Sequence, residues 1–328
     1  MKILWFEVTT PSGYEQSGQV LGGWQDALER IVRRQKDIEL NIAFEHDGDA
    51  ESRTVGSVTY LPMNTHQTRW ERKVSQYSCG PQERHIKEQG LRVIEQVKPD
   101  LIHVFGCEWP FGLLASKVDV PLVVHIMGSI IPYTNALFPP KYNEATQLRA
   151  AGLNIRTWLH LLRAHYRSRS CLEMERRTWM AVRHYMGRTC WDRALVNTLH
   201  PTATYHHVEE GLRPAFMETE KRWKLPQDGR LRLFTTGISS FWKGIDTLLK
   251  TAAVLKQAGV DYEWNVAGWL GDEIRRTVEK KEGLRFADYN INILGPTQPE
   301  QLVDYLCKTT LYVHTAYIDN SPNSMCEA

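Results

Sequence analysis

Strand-forming runs alternate with helix-length segments twice along the chain, and this alternation constrains the fold more than any other feature. The first series starts at KILWFEV (2–8), with helices predicted over 24–35 and 82–97, and ends at LIHVFG (101–106) and PLVVHIMG (121–128). The second starts at RLRLFTTG (230–237) and ends at LYVHTA (311–316). Such alternation is typical of parallel sheets with helices on both faces, so we predict an α/β fold with two Rossmann-like domains.

A break in periodicity separates the two series. Pro214, Pro226 and Gly229 interrupt the pattern among many charged residues, so we predict a first domain over 1–213 and a second over 214–328. Between the last strand of the first series and this break, we predict a helical stretch over 144–186. Because open α/β sheets bind ligands at the carboxyl ends of their strands, we expect a working cleft where the two domains face each other.

Composition excludes several protein classes. Apolar residues make up 42% of the 328 residues and charged residues 24%, which is typical of a globular protein. No apolar run approaches the roughly 20 residues of a membrane-spanning helix, and Glu7 interrupts the opening run, unlike a secretory signal. The six cysteines show neither zinc-ligand nor disulfide-framework spacing. We therefore predict a cytoplasmic protein.

Basic charge is concentrated in one segment. The net charge of +2 gives no reason to expect nucleic acid as a partner, but residues 141–193 hold 11 Lys and Arg against 4 Asp and Glu. Within 155–169, apolar side chains recur at helical spacing with arginines between them. This amphipathic helix has two interpretations that do not exclude each other. One is a core-packing face with a solvated arginine side, and the other is a peripheral contact for anionic lipid on the inner membrane face or for an acidic acceptor.

Several motifs of other enzyme classes are missing from the sequence. The chain lacks Gly-x-Gly-x-x-Gly, a Walker A loop, a nucleophile-elbow serine and His-Glu-x-x-His, which argues against dehydrogenases, kinases, hydrolases and zinc peptidases. The run Gly237 to Gly244 has the wrong spacing for a P-loop. Asp47-Gly48-Asp49 is better explained as a turn than as a metal-binding pair, so we predict no metal site.

Spacing in the second half resembles a known family. Lys243 follows Gly237 by six residues, and Asp319 precedes Glu327 with seven residues between them. These features resemble the donor half of retaining GT-B glycosyltransferases of family 4. In the first half, Gly22-Gly23 before a helix, the strand ending His103-Val-Phe-Gly, PLVVHIMG and GRTCWD (187–192) agree with the same family. The resemblance covers most of the chain and lies in order and spacing.

The resemblance implies transfer of a sugar from a nucleotide diphosphate sugar to a saccharide or lipid-linked acceptor, with retention and no cofactor. The departing diphosphate gains negative charge, which Lys243 would stabilise. Backbone N–H groups at the helix start near Asn323 and Ser324 would add to this anion site, and Gly237 would belong to the donor-binding loop. Glu327 would accept hydrogen bonds from the ribose hydroxyls. Asp319 would act near the transferred sugar as the catalytic carboxylate; its alternative is a helix N-cap or an Asx turn.

On the acceptor side, the resemblance points to Gly22 and Gly23, where glycine would let the backbone approach the diphosphate or acceptor; a plain turn is the alternative. His103 and Glu108 are expected at the end of a strand, facing the cleft, or in a hydrogen-bonded structural role.

Three positions depart from the family pattern. Ile238 replaces a phosphate-binding arginine, Met127 replaces an active-site histidine and Asp319 replaces a glutamate. The chain also ends at Ala328, so the second domain is expected to be incomplete relative to the family. These departures keep two alternatives open: a non-catalytic nucleotide-sugar-binding protein or inactive fragment, and a sugar-nucleotide epimerase on the same fold.

Overall fold

The computed structural model describes residues 1–15, 23–46, 48 and 50–328. Contacts within the chain divide it into two compact units: unit 1 comprises Met1–Ile131 and Leu162–Gly211, and unit 2 comprises Pro132–Leu161 and Leu212–Ala328. The later boundary lies close to the predicted one. The segment Pro132–Leu161, however, was expected in the first domain and belongs to unit 2, because Phe138 and Tyr142 pack into the core of that unit.

Regular elements alternate along both units. The strands are β1 (Lys2–Glu7), β2 (Glu39–His46), β3 (Arg53–Val55), β4 (Val58–Asn64), β5 (Leu101–Phe105), β6 (Leu122–His125), β7 (His184–Gly187), β8 (Thr204–His207), β9 (Leu231–Thr236), β10 (Tyr262–Ala267), β11 (Ile291–Gly295) and β12 (Leu311–Tyr312). The helices are α1 (Ser12–Glu15), α2 (Trp24–Val32), α3 (Arg69–Val74), α4 (Gly80–Val97), α5 (Ile130–Tyr133), α6 (Glu144–Ala151), α7 (Ile155–Ala181), α8 (Cys190–Leu199), α9 (Pro214–Met217), α10 (Ile245–Gln257), α11 (Asp272–Glu282), α12 (Pro299–Lys308) and α13 (Asn323–Glu327).

The described strands of unit 1 form one sheet in the order β3-β4-β2-β1-β5-β6-β7-β8, parallel except for the β3–β4 pair. The central strand β1 is buried on both faces. Successive side chains of a strand point to opposite faces, so Leu4 and Phe6 enter one apolar cluster and Ile3 and Trp5 another. This double burial is why the first residues read as a continuous apolar run.

The sheet of unit 2 has the order β11-β10-β9-β12 among the described strands, and every pair is parallel. Helix α10 covers it with Leu248 and Leu249, which are fully buried in one cluster with Trp264. The indole N–H of Trp264 donates to Thr235 Oγ1 at 3.0 Å, which satisfies its polar group inside the core.

The helical stretch predicted over 144–186 is interrupted in the structure. Helix α6 ends before Gly152, whose φ of +61° suits glycine, and α7 starts at Ile155. The stretch also overruns the start of β7 at His184. The helix predicted over 24–35 ends at Val32.

Helix α7 does not bury the apolar face that its spacing defines. Ile155, Trp158, Leu159, Leu162 and Tyr166 are all exposed. The core-packing interpretation of this face is therefore wrong for residues 155–166. Within the part of the chain that the structure describes, α7 and the other helices are too short or too polar to cross a bilayer.

Candidate functional site

The strand order of unit 2 creates a topological switch point. From β9 the chain moves outward to β10 and β11 and then returns to place β12 on the other side of β9. The order of the strands thus reverses between β9 and β12, and the carboxyl ends of two such neighbouring strands are where α/β proteins bind ligands. Gly237 follows β9 directly, and His314 follows β12 by two residues.

The loop after β9 is held against the segment after β12. Gly237 and Gly244 both adopt positive φ, +74° and +72°. A Cβ atom on Gly244 would lie 1.9 Å from the carbonyl oxygen of Thr315, so only glycine fits there. The Thr315 hydroxyl donates to the Lys243 carbonyl at 2.7 Å, and the Tyr317 N–H donates to the Trp242 carbonyl at 2.8 Å. These contacts fix the backbone that carries Lys243.

Lys243 and Asp319 meet in this region. Lys243 Nζ lies 2.5 Å from Asp319 Oδ2, and His314 Nε2 lies 3.3 Å from the same oxygen. All three side chains are largely buried. Burial lowers the pKa of His314, opposed by the Asp319 charge and assisted by Lys243. The Asp319 carboxylate therefore faces an ammonium group and a neutral imidazole near neutral pH. Asp319 is not a helix N-cap, since Pro322 precedes α13.

Glu327 lies in α13 and is paired with Arg213. Arg213 Nε and Nη2 donate to the two carboxylate oxygens at 2.6 and 2.7 Å, a bidentate geometry that fixes the orientation of the carboxylate. The guanidinium also lies 4.9 Å from the centre of the Phe216 ring. Asn323 and Ser324 are the first two residues of α13. The backbone N–H groups in the first turn of a helix have no acceptor within that helix.

Ile238 occupies the position where the family pattern has an arginine. Its side chain is fully buried and belongs to the apolar core of unit 2. Ile238 thus packs beneath the loop after β9 and supplies no positive charge. An anion bound at this edge would need other residues to supply the charge.

The predicted acceptor-side residues lie in unit 1. Gly23 precedes α2 with φ of −80°, and a Cβ atom there would meet nothing within 4 Å, so its conformation does not require glycine. Gly22, like Asp47 and Asp49, lies outside the described residues. Met127 follows β6 by two residues and is exposed.

His103 was expected at the end of a strand, but it lies in the middle of β5, in register with Trp5 and Val123. Its ring packs on Trp5 and Phe105 and stacks on His125 with ring centres 5.6 Å apart. Burial, assisted by the neighbouring His125, lowers the pKa of His103. His103 is therefore a neutral ring within the sheet rather than a residue at its edge.

Glu108 follows β5, and its carboxyl group is buried. Burial raises its pKa to about 7, opposed by backbone hydrogen bonds and assisted by Glu175. Its Oε2 atom is buried and has no hydrogen-bond partner among the described residues. Glu175 accepts from the N–H groups of Ile130 and Ile131 at 3.0 and 2.9 Å. A Cβ atom on Gly106, φ +85°, would lie 2.7 Å from Glu108 Oε2, so glycine leaves room for this carboxyl group.

Two residues of the unit 2 site were missed from sequence. Arg213 is the last residue of the predicted first domain, and no motif in the sequence connects it with Glu327, 114 positions later. His314 is predicted within a strand, whereas β12 ends at Tyr312, so His314 lies beyond the carboxyl end of the strand, at the edge where α/β sheets generally bind ligands. No cluster of three or more His, Cys, Asp or Glu side chains suited to a metal ion occurs in the described ranges.

Comparison of the sequence with protein-family models and with curated proteins gives no significant match. Solved structures do resemble the fold. Sucrose-phosphate synthase from Thermosynechococcus elongatus matches with a TM-score of 0.65 and 13% identity, over 99% of this chain and 79% of that enzyme. The α,α-trehalose 6-phosphate synthase from Burkholderia multivorans matches with a TM-score of 0.55 and 14% identity, over 92% of this chain and 73% of that one. These likenesses confirm the predicted Rossmann-like α/β fold class of the GT-B glycosyltransferases.

Proposed function

We propose that the protein is a GT-B glycosyltransferase that moves a sugar from a nucleotide diphosphate sugar to a saccharide or lipid-linked acceptor. The observation that carries the proposal is the contact between Lys243 and Asp319 at the switch point of unit 2. Both residues were selected through the resemblance to the family pattern, although 75 residues of sequence lie between them. The fold is similar to that of two enzymes that synthesise sugar phosphates, which is consistent with this chemistry.

The paired charges suit cleavage of a bond to diphosphate. As the glycosidic bond breaks, the leaving diphosphate gains negative charge and the anomeric carbon gains positive charge. The Lys243 ammonium would stabilise the first and the Asp319 carboxylate the second. Because the loop of Lys243 is already fixed by Thr315 and Tyr317, little reorganisation would be needed during the reaction.

The other donor-side residues would bind the nucleotide. Glu327 would accept hydrogen bonds from the ribose hydroxyls, since each carboxylate oxygen keeps a lone pair after bonding Arg213. Backbone N–H groups at Asn323 and Ser324, at the start of α13, would contact the diphosphate, and Gly237, whose own N–H donates to the Ala267 carbonyl, would contribute to the shape of the donor-binding loop. The acceptor would bind to unit 1 near Gly23 and Glu108. Retention and membership of family 4 follow from the resemblance in spacing, with the leaving diphosphate acting as the base.

The test measures binding and turnover of UDP, GDP and ADP sugars. We expect one donor to bind and to undergo hydrolysis or transfer, and Lys243→Ala to lower kcat/KM at least about 100-fold through loss of a charge partner for the diphosphate. Lys221→Ala is the matched control, because Lys221 forms an exposed ion pair with Asp304 in the same unit. Equal turnover by Lys243→Ala and Lys221→Ala would exclude Lys243 from the site.

One observation favours a second candidate, a non-catalytic nucleotide-sugar-binding protein. Ile238 is an apolar core residue where a second phosphate-binding cation is expected, so less positive charge is available for the leaving group. Donor binding that depends on Lys243, without hydrolysis or transfer to any saccharide or lipid-linked acceptor, would support this candidate and contradict catalysis.

A further inference from the structure

Helix α7 presents an exposed apolar stripe on its first three turns. The stripe consists of Ile155, Trp158, Leu159, Leu162 and Tyr166, called here the α7 apolar face. At 100° per residue these side chains fall within an arc of about 100°, over about 17 Å of helix. Ile155 is 74% exposed and the other four are between 43% and 52% exposed. Leu153, just before the helix, is 100% exposed.

The charged residues in the sequence segment around this face are all basic. Residues 145–172 contain five arginines and no Asp or Glu. On the helical projection, Arg156 and Arg163 lie beside one edge of the face, and Arg169 lies in line with the face itself, one turn beyond Tyr166. Arg163 also donates to the Tyr77 hydroxyl at 3.3 Å, which holds its guanidinium beside the helix. His160 Nε2, on the same helix, lies 4.0 Å from Glu273 Oε2.

The polar atom of the largest aromatic side chain is satisfied internally. Trp158 Nε1 donates to the carbonyl oxygen of Gly152 at 2.9 Å. The indole ring can therefore enter an apolar environment without leaving an unpaired N–H group behind.

We propose that the α7 apolar face docks on an anionic phospholipid surface, with its arginines at the headgroups. Aliphatic and aromatic side chains insert at the level of the acyl chain boundary, while arginines pair with lipid phosphates. The helix would lie in the plane of the interface, since it is too polar to span a bilayer. Pairing with a second copy is disfavoured, because two arginine-flanked faces would repel each other and the acid-free run provides no counter-charge. This docking does not depend on the proposed reaction.

Vesicle co-sedimentation of the full chain tests the proposal. We expect binding to phosphatidylcholine vesicles that contain about one-third phosphatidylglycerol, little binding to pure phosphatidylcholine, and weaker binding as salt is raised. The double variant Trp158→Ser/Leu162→Ser should bind about tenfold more weakly, since it removes two inserted side chains. Both positions are exposed, so the fold should be retained, which circular dichroism checks.

A matched control is available on α3. Trp70 is 72% exposed and lies between Arg69 and Arg72, but without an apolar stripe. Trp70→Ser should therefore bind vesicles as the wild type does, whereas Arg156→Gln/Arg169→Gln should weaken binding and flatten its salt dependence. Equal binding to both vesicle types, or undiminished binding of the Trp158→Ser/Leu162→Ser variant, would overturn the proposal. So would binding to heparin without binding to anionic vesicles, which would assign the face to an acidic polymer instead.

Discussion

Each carboxylate assigned to the donor side has a basic partner within unit 2. Asp319 contacts Lys243, and Glu327 contacts Arg213 through both oxygens. A carboxylate that is held in one orientation loses less side-chain freedom when a ligand binds. At this scale the sequence could single out Lys243, Asp319 and Glu327 only through their resemblance to the family pattern, and their roles stay predictions. It could not show Arg213, since the distance of 114 positions to Glu327 follows no repeat.

Replacement of Arg213 by lysine tests this positioning. Arg213→Lys keeps the charge but loses the two parallel hydrogen bonds to Glu327, so we expect donor affinity to fall about tenfold. Isothermal titration with the donor identified by the binding panel measures the effect. Arg232→Lys is the matched control, because Arg232 makes a bidentate contact to Asp228 in the same unit. Equal affinities for these two variants would show that Glu327 does not need Arg213.

Glu108 gives a pH-dependent prediction for stability. Its pKa is raised to about 7 in the folded protein, so the folded state binds more protons than the unfolded state between about pH 4.5 and 7. The contribution of Glu108 to stability is complete below about pH 4.5 and is lost as the pH rises through 7, by at most about 3 kcal/mol.

The variant Glu108→Gln keeps the shape of the protonated carboxyl group at every pH. As the pH rises from 5 to 8, the urea midpoint of Glu108→Gln should therefore increase relative to that of the wild type. A difference between variant and wild type that does not change with pH would contradict a raised pKa at this position.

The loop between β9 and α10 is the element on which the donor site depends. Its last residue, Gly244, combines positive φ with a contact that leaves no room for a side chain. Gly244→Ala should destabilise the protein by about 3 kcal/mol, through backbone strain and a clash with Thr315. Gly259→Ala is the control, because Gly259 has φ of +70° with nothing within 4 Å of an added Cβ, and should cost about 1 kcal/mol. Urea denaturation compares the two, and equal losses would rule out the close contact.

Elements with a strong apolar pattern were predicted well, and those without one were missed. Strand β1 reads as an apolar run because both its faces are buried. Strand β8 is mostly exposed and has the sequence TYHH, so no apolar pattern marks it. Strand β7 follows α7 after only two residues, so the predicted helical stretch extended into this strand. The exposure of the α7 apolar face was likewise undecided, because the same spacing describes a buried and an exposed stripe.

For the whole molecule, the two units have separate apolar cores. Ile86 is fully buried in unit 1, and Leu248 is fully buried in unit 2. Ile86→Ala and Leu248→Ala should each cost about 2–5 kcal/mol. Hydrogen exchange read by mass spectrometry should show the loss of protection mainly in the unit that carries the substitution. Equal loss in both units for either variant would contradict independent cores.

The assignment of Pro132–Leu161 to unit 2 could not be read from the sequence, since a linear boundary assumes that each domain is one continuous stretch. It has a consequence for biosynthesis. Phe138 and Tyr142 leave the ribosome before any of residues 212–328, which build the core they join, have been made. These two aromatic side chains therefore cannot be buried in the core of unit 2 while the remainder of unit 1 is being synthesised. Chaperones that recognise exposed aromatic segments would meet the nascent chain at this stage, and neither unit can be excised as a single uninterrupted peptide.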